Sequence, residues 1–348
     1  MIRIALIGCQ NATADYGQLA PRLQGARFAA VVDPRGTLAR RTAEALEAPL
    51  WATSFEDLLR DNVDAFDAAV IRRPCDSPQS LVTQAAGAGK HVLLEMPLLL
   101  MMPPGDVPIA ACRSAGVTFM LAQVTRFLPS LREVESCLRS GVLGSPGLLR
   151  IHNWRPPDPE QDDATAAVSR AVLPDVDLAN WIFDALPTAV YAAGHAGPQE
   201  GTGPICRNGP QGGSHKLDLS PFSCSYVQVH LGYADGGMAL VDHSIMLPPG
   251  SDYFSLSVFG SAGAAYADDH HNMHLLYRGG HPTALPAGQG RLHHLAQLQE
   301  FIDAIETGRP PAITADDGRM AVEVVRAAGR SLQSGRAMQL VGSCYEFV

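Results

Sequence analysis

Across the first 125 residues, short apolar runs alternate with amphipathic stretches. Ile4 to Ile7, Phe28 to Val32, Phe66 to Ile71, His91 to Leu94 and Thr118 to Ala122 are almost continuously apolar and of strand length. Between them, Thr37 to Ala48 and Leu81 to Ala88 carry apolar residues at helical spacing. Strands without polar alternation are buried on both faces, and single helices between consecutive strands impose parallel pairing. The pattern predicts an α/β N-terminal domain over residues 1–125, a Rossmann-like doubly wound parallel sheet.

A helix over Leu128 to Ser140 leads into a different texture. Gly147 to Trp154, Ala189 to His195, Tyr226 to Tyr233, Gly237 to Met246 and Tyr253 to Phe259 alternate apolar and polar positions, with turn signals such as Ala234-Asp235-Gly236-Gly237 between them. Residues 126–348 therefore read as an α+β C-terminal domain with an open, mostly antiparallel sheet. Pro198 to Ser220, rich in Gly and Pro, reads as a loop insertion. Leu292 to Thr307 and Thr314 to Ser334 read as closing helices that pack back on the first domain.

Composition narrows the function. With 46% hydrophobic and 18% charged residues, the chain is globular rather than disordered. Its net charge of -9 argues against a nucleic-acid binder, whose affinity would come from clustered Lys and Arg, and favours a small-molecule partner. Seven cysteines, none in a Cys-x-x-Cys pair, indicate neither a disulfide framework nor a zinc module, so a reducing cytoplasm is expected. The longest apolar stretch, Val92 to Met102, is broken by Glu95 and Pro97, so no membrane span or signal segment is expected. Only two lysines occur, Lys90 and Lys216, and of twelve histidines only His91 precedes residue 150.

A dinucleotide site calls for Gly-x-Gly-x-x-Gly after the first strand, because the backbone must turn tightly and approach a diphosphate without a Cβ in the way. The chain reads Gly8-Cys9-Gln10-Asn11-Ala12-Thr13, with only the first glycine in place. Asp33, at the end of the second strand, suits a ribose 2′-hydroxyl and leans to NAD over NADP; Arg35 beside it softens that lean, and Asp33-Pro34-Arg35-Gly36 also reads as a plain turn. Arg72 and Arg73 end the fourth strand, where they could hold a phosphate or carboxylate or simply pair at the surface with Asp76.

Several phrases resemble the glucose-fructose oxidoreductase, inositol dehydrogenase and rhizopine catabolism (Gfo/Idh/MocA) family. Gly89-Lys90-His91-Val92 followed by Glu95-Met96-Pro97 resembles its Gly-Lys-His-Val and Glu-Lys-Pro. Arg126-Phe127-Leu128-Pro129 is similar to its Arg-Phe-x-Pro, Ser140-Gly141-Val142-Leu143-Gly144 to its Ser-Gly-x-x-Gly, and Asp177-Leu178-Ala179-Asn180-Trp181 to its Asp-Leu-x-x-Trp helix. Order and spacing match over nearly the whole chain. The resemblance implies a dinucleotide-binding domain joined to an open-faced sheet that carries the substrate and a homodimer or homotetramer interface. Together with the strand-end residues read above, this gives an expected cofactor-binding set of Gly8, Gln10, Asn11, Asp33, Arg35, Arg72, Arg73, Pro74, Glu95 and Met96, with NAD or NADP as cofactor.

The departures are equally specific. The family's catalytic lysine falls on Met96, and its Asp-x-x-x-His pair falls on Arg170 and Pro174; no histidine lies between His152 and His195 to restore it by a shift of register. Lys90 matches the structural Gly-Lys-His position. Hydride transfer from a carbinol needs a proton acceptor, and such acid–base help contributes about 10²–10⁴-fold. Candidates to take over are Glu95 at the crevice, Asp175 and Asp177 just after Pro174, and Arg126; Pro174 followed by acids equally reads as an ordinary helix start. The expected function is an NAD(P)-dependent oxidoreductase of sugar-like or polyol small molecules with an atypical catalytic set. A catalytically inactive ligand sensor or scaffold, or a non-redox lyase or epimerase on the same fold, stays open. On a single strand Asp268, His270 and His274 would share a face, but the spacing matches no zinc motif and no metal site is assigned. His230 and His243 could face either side of the sheet, while His293 and His294 read as solvated at a helix start.

Overall fold

Where the apolar runs have no polar alternation, the chain folds as strands covered on both faces. The computed structural model describes residues 1–17, 19–72, 77–96, 99, 107–156, 164–195, 225–247, 252–268, 273–277, 283–286, 292–342 and 344–347. It divides into two units, residues 1–129 with 289–319, and residues 130–288 with 320–348.

In the first unit, β1 (Ile2–Ile7), β2 (Ala26–Val32), β3 (Leu50–Ala52), β4 (Ala68–Ile71), β5 (His91–Glu95) and β6 (Phe119–Ala122) form a parallel sheet in the order β3-β2-β1-β4-β5-β6. Leu6 stands between Val31 and Val70 in register, and all three are buried. The helices between the strands are α1 (Ala12–Tyr16), α2 (Gly36–Ala45), α3 (Phe55–Asn62), α4 (Pro78–Gly87) and α5 (Val107–Ser114). The side chain of Ser54 caps α3 by accepting the Asp57 N–H at 3.1 Å. α6 (Pro129–Arg139) follows and opens the second unit. The sequence reading finds five of these six strands; β3 escapes it because three half-exposed to exposed residues carry no apolar run.

The second unit holds a ten-stranded sheet: β7 (Pro146–Trp154), β8 (Ala189–His195), β9 (Tyr226–Gly232), β10 (Met238–Ser244), β11 (Tyr253–Gly260), β12 (Ala264–Asp268), β13 (Met273–Tyr277), β14 (Thr283–Pro286), β15 (Met338–Val341) and β16 (Cys344–Phe347). The order is β14-β13-β12-β11-β7-β10-β9-β8-β15-β16, antiparallel except where β10 runs parallel to β7. Leu149, Ile151, Val229, Val241, Leu256 and Val258 line its buried face, and α7 (Ala164–Phe183) packs there against β7 and β10. α8 (Leu292–Thr307) belongs to the first unit, with Leu298, Phe301 and Ile302 buried, and α9 (Ala315–Ser334) begins there and ends in the second.

Three expectations are corrected. Pro174 does not start a helix: it lies in the interior of α7, where it has no N–H to offer the carbonyl one turn earlier. Burial of Val172, Leu173, Val176 and Leu178 around it outweighs that loss. Asp268 and His274 do not share one strand. Asp268 ends β12, and His274 lies in β13 opposite Ala267, the two strands being antiparallel neighbours; His270 lies outside the described residues. His294 is not solvated, since its side chain is 17% exposed and stands edge-on to Tyr16. The insertion Pro198 to Ser220 lies outside the described residues.

At the corner between α6 and the sheet, Gly260 passes so close to the chain that a Cβ would overlap the Leu143 carbonyl oxygen. Gly260→Ala is therefore expected to cost about 1–3 kcal/mol, read as a lower urea midpoint at unchanged slope.

Candidate functional site

The strand order of the first unit reverses between β1 and β4, so connections leave toward opposite faces and a crevice opens at the carboxyl ends of the strands. The residues that follow those strands line it. Gly8 has φ 88°, a value that favours glycine, and its N–H still donates to the Val32 carbonyl at 2.9 Å. Asn11 supplies a second left-handed turn at φ 56°, as asparagine tolerates. The loop thus bends without the two missing glycines.

Asp33 is fully buried at the end of β2. Its Oδ2 accepts the Cys9 N–H at 3.0 Å, and its Oδ1 accepts the Arg35 N–H at 3.0 Å and Nε–H at 2.9 Å. Burial pushes its carboxyl up, but the hydrogen bonds from Arg35 and the two backbone N–H groups outweigh this and hold it below the ordinary range. Burial raises the neighbouring Cys9 thiol to about 11, so it stays protonated at neutral pH.

Arg72, just past β4, points inward rather than to the surface. Its side chain is 13% exposed, its Nη2 lies 2.5 Å from Asp15 Oδ2, and its guanidinium sits 5.2 Å from the centre of the Tyr16 ring. Nη1 is buried with no hydrogen-bond partner among the described residues. Asp76, the partner in the alternative surface reading, lies outside the described residues. Asp15 also has His294 Nε2 at 3.8 Å from its other oxygen, and Glu95 at the end of β5 is close enough to act electrostatically on Arg72 and Tyr16. Met96 is fully buried; Lys90, at the opposite end of β5, sits over the Phe66 ring at 5.0 Å. Arg126 is buried and pairs with Asp317 at 3.6 Å. Arg73 and Pro74 lie outside the described residues.

In the second unit, Asp175 is fully buried beneath α7, and Asn153 of β7 donates its amide to both carboxylate oxygens at 2.9 and 3.0 Å. Arg155 Nε in turn donates to Asn153 Oδ1 at 2.8 Å. His243 of β10, paired with Asn153 in register, turns to the same buried face with Nδ1 3.7 Å from Asp175 Oδ2. Neither of its ring nitrogens has a hydrogen-bond partner among the described residues. Asp177 is also fully buried on α7. His230 is exposed on the opposite face of the sheet. That face carries a further buried acid, Asp242, which accepts the Trp154 Nε1–H at 3.2 Å and has His152 Nε2 at 3.9 Å.

Sequence reasoning named Asp33, Arg72, Glu95 and Asp175 as candidates, and did not name Asp15, Asn153 or Asp242, whose contacts only the fold shows. Asp15 and Arg72 are 57 residues apart and no local pattern links them. Asn153 and Asp242 become visible only once the pairing of β7 with β10 is known.

A parallel sheet with a reversed strand order, an acid closing its second strand, and a separate mixed sheet backed by a long helix define a two-domain nucleotide-binding α/β protein. The family models agree: the "Oxidoreductase family, NAD-binding Rossmann fold" matches residues 2–123, and the "Oxidoreductase family, C-terminal alpha/beta domain" matches residues 135–340. The chain belongs to the Gfo/Idh/MocA oxidoreductase family. It is similar to a myo-inositol 2-dehydrogenase of Thermotoga maritima, 26% identical over 97% of this chain and 98% of that protein. A scyllo-inositol 2-dehydrogenase (NAD(+)) of Bacillus subtilis is 24% identical over 97% and 96%. Among solved structures, an aldose-aldose oxidoreductase from Caulobacter crescentus complexed with glycerol superposes with a TM-score of 0.78 at 21% identity, over 97% of this chain and 99% of that one.

Two outcomes follow for the buried acids. Because the carboxyl of Asp33 is depressed in the folded protein, its contribution is present above the unfolded carboxylate value of about 3.9 and is lost as pH falls through the folded value. Asp33→Asn is expected to cost about 1–3 kcal/mol at pH 7, with the gap to wild type closing below about pH 4 in urea titrations. Asn153→Ala leaves the Asp175 carboxylate without the amide that donates to both its oxygens, and a loss of about 3 kcal/mol is expected by the same method. Removing Asp175 as well is expected to recover part of it.

Proposed function

We propose that the chain is an NAD(P)-dependent oxidoreductase acting on a polyol or sugar-like small molecule, with an atypical catalytic set. The observation that carries the reading is the place of Asp33, which closes β2 at the crevice and is tied to the loop after Gly8 through the Cys9 N–H. Gly8 and Asn11 give that loop the left-handed turns it needs, so the residues present fit a dinucleotide. Asp33 favours NAD, since a second anion at the 2′-position would face a carboxylate. The relatives named above, inositol dehydrogenases aligned over nearly their whole length, support a polyol as substrate.

The bound cofactor supplies the hydride acceptor, and the chain must take the hydroxyl proton. Met96 holds no proton and is packed as a core residue, so that work falls to other groups. Glu95 stands at the carboxyl end of β5, and Asp175 and Asp177 stand on α7. Arg126 is proposed to hold an anionic or hydroxyl group of the ligand, with Asp317 as its counter-ion. The loss at position 96 also favours a second reading, a protein that binds the dinucleotide and a ligand without turnover. The half-exposed and exposed face of the large sheet, with Tyr191, His230, Met238 and Phe259, is proposed as the contact with a second copy.

Calorimetric titration with NAD(H) and NADP(H), followed by a turnover screen on inositols, aldoses and other polyols, tests this. Micromolar binding with NAD ahead of NADP is expected, together with slow reduction of NAD by at least one polyol. Turnover is expected to fall at least 100-fold when Glu95, Asp175 and Asp177 are all replaced by their amides. Tight cofactor binding with no turnover on any carbinol would decide for the binding protein, and no binding at millimolar cofactor would overturn both readings.

A further inference from the structure

The crevice of the first unit holds a cation that the family pattern does not require. The diphosphate of a dinucleotide is ordinarily cradled by backbone N–H groups that glycines let it approach. Here positions 10 and 13 carry Gln and Thr, each with a Cβ, and α1 is a helix of only five residues with little dipole to offer. The same crevice instead holds Arg72. One edge of its guanidinium is committed to Asp15, its face lies on Tyr16, and Nη1 is buried without a partner among the described residues. A buried charged donor with an unmade hydrogen bond has lost water without gaining a partner, so this one is incomplete as it stands. Its place, one residue past β4 where the strand order reverses, is where open α/β sheets receive ligands.

The geometry points to Arg72 as the group that holds the diphosphate of the dinucleotide, with Asp15 as its resting counter-ion. A bidentate guanidinium matches two phosphate oxygens and needs no close backbone approach, so the side chain at position 10 or 13 is no obstacle. Asp15 plays a double part. It keeps the buried cation neutralised when no ligand is present, and it competes with the phosphate for the same guanidinium when one arrives. His294, 3.8 Å from the second oxygen of Asp15, is placed to take up that carboxylate as Arg72 turns to the ligand.

This inference rests on the dinucleotide reading above. The probe is ADP-ribose, which carries the diphosphate without the nicotinamide, titrated by calorimetry into the full chain at several salt concentrations. Arg72→Met is expected to weaken binding at least tenfold and flatten its salt dependence, with Arg72→Lys between it and wild type. Asp15→Asn is expected to tighten binding several-fold by removing the competitor. Because Arg72→Met strands a buried carboxylate, the Asp15→Asn/Arg72→Met double variant, checked by thermal unfolding, separates lost binding from lost fold; it is expected to melt near wild type and bind as weakly as Arg72→Met. If wild type binds ADP-ribose and the double variant binds it equally well, the role of Arg72 is overturned while the dinucleotide reading stands, as it would if Nη1 served a substrate carboxylate. If wild type does not bind ADP-ribose at millimolar concentration, the dinucleotide reading falls, and this inference with it.

Discussion

A carboxylate with no water beside it must find donors within the protein, and the nucleotide-binding half is organised around one that does. Asp33 draws on the Cys9 N–H from the loop after β1 and on the backbone and side chain of Arg35 at the start of α2. Those bonds fasten the ends of two adjacent strands to each other at the rim of the crevice. The loop after Gly8 therefore has its course set by an anchor at one side and by the left-handed Asn11 at the other. Glycine at positions 10 and 13 is then dispensable for the turn itself, although its absence still narrows the approach of a ligand to the backbone. Loss of fingerprint glycines and retention of the fold are compatible for this reason.

The chemistry of the second unit depends on a similar economy of donors. Under α7, Asp175 is held by Asn153, and Asn153 by Arg155, which reaches the edge of the cluster from the exposed end of β7. Charge is thus passed outward through one amide rather than met by a cation inside. His243 completes the layer without closing it, since the gap to Asp175 exceeds hydrogen-bond length. A helix with proline in its interior can be kept in place there, because its attachment comes from these side chains and from buried Leu173 and Val176 as much as from its own backbone ladder.

Much of the fold was legible because its burial is extreme. Strands covered on both faces leave continuous apolar runs, and strands covered on one face leave alternation; β1, β2, β4, β5 and β6, then β7 to β11, all follow one rule or the other. The strands that escaped reading include β3, β15 and β16, which hold at most one buried residue each and so leave no apolar run. Pro174 misled for a physical reason: the preference of proline for a first turn is a local bias, and tertiary packing overrode it. In the site, Asp33 was readable because its distance from the first glycine is set by one βαβ unit. The pairing of Arg72 with Asp15, and of His243 with Asp175, was not, because ion pairs between distant elements leave no periodic trace. Which way His243 faces depends on the register of β10 against β7, which no single strand encodes.

The order in which the sheets are assembled from the chain has a consequence for its birth on the ribosome. β7 receives β10 on one side and β11 on the other, so this early strand waits for residues up to Gly260 before both its edges are covered. The nucleotide-binding unit waits longer. Its last strand ends at Ala122, yet its fold is completed by α8, which begins at Leu292. At about 5–20 residues per second, that interval leaves α1 and the turn at Val124–Phe127 without the helix that packs on them for roughly 10–30 s. A nascent chain therefore carries this unit unfinished through about half of its own synthesis.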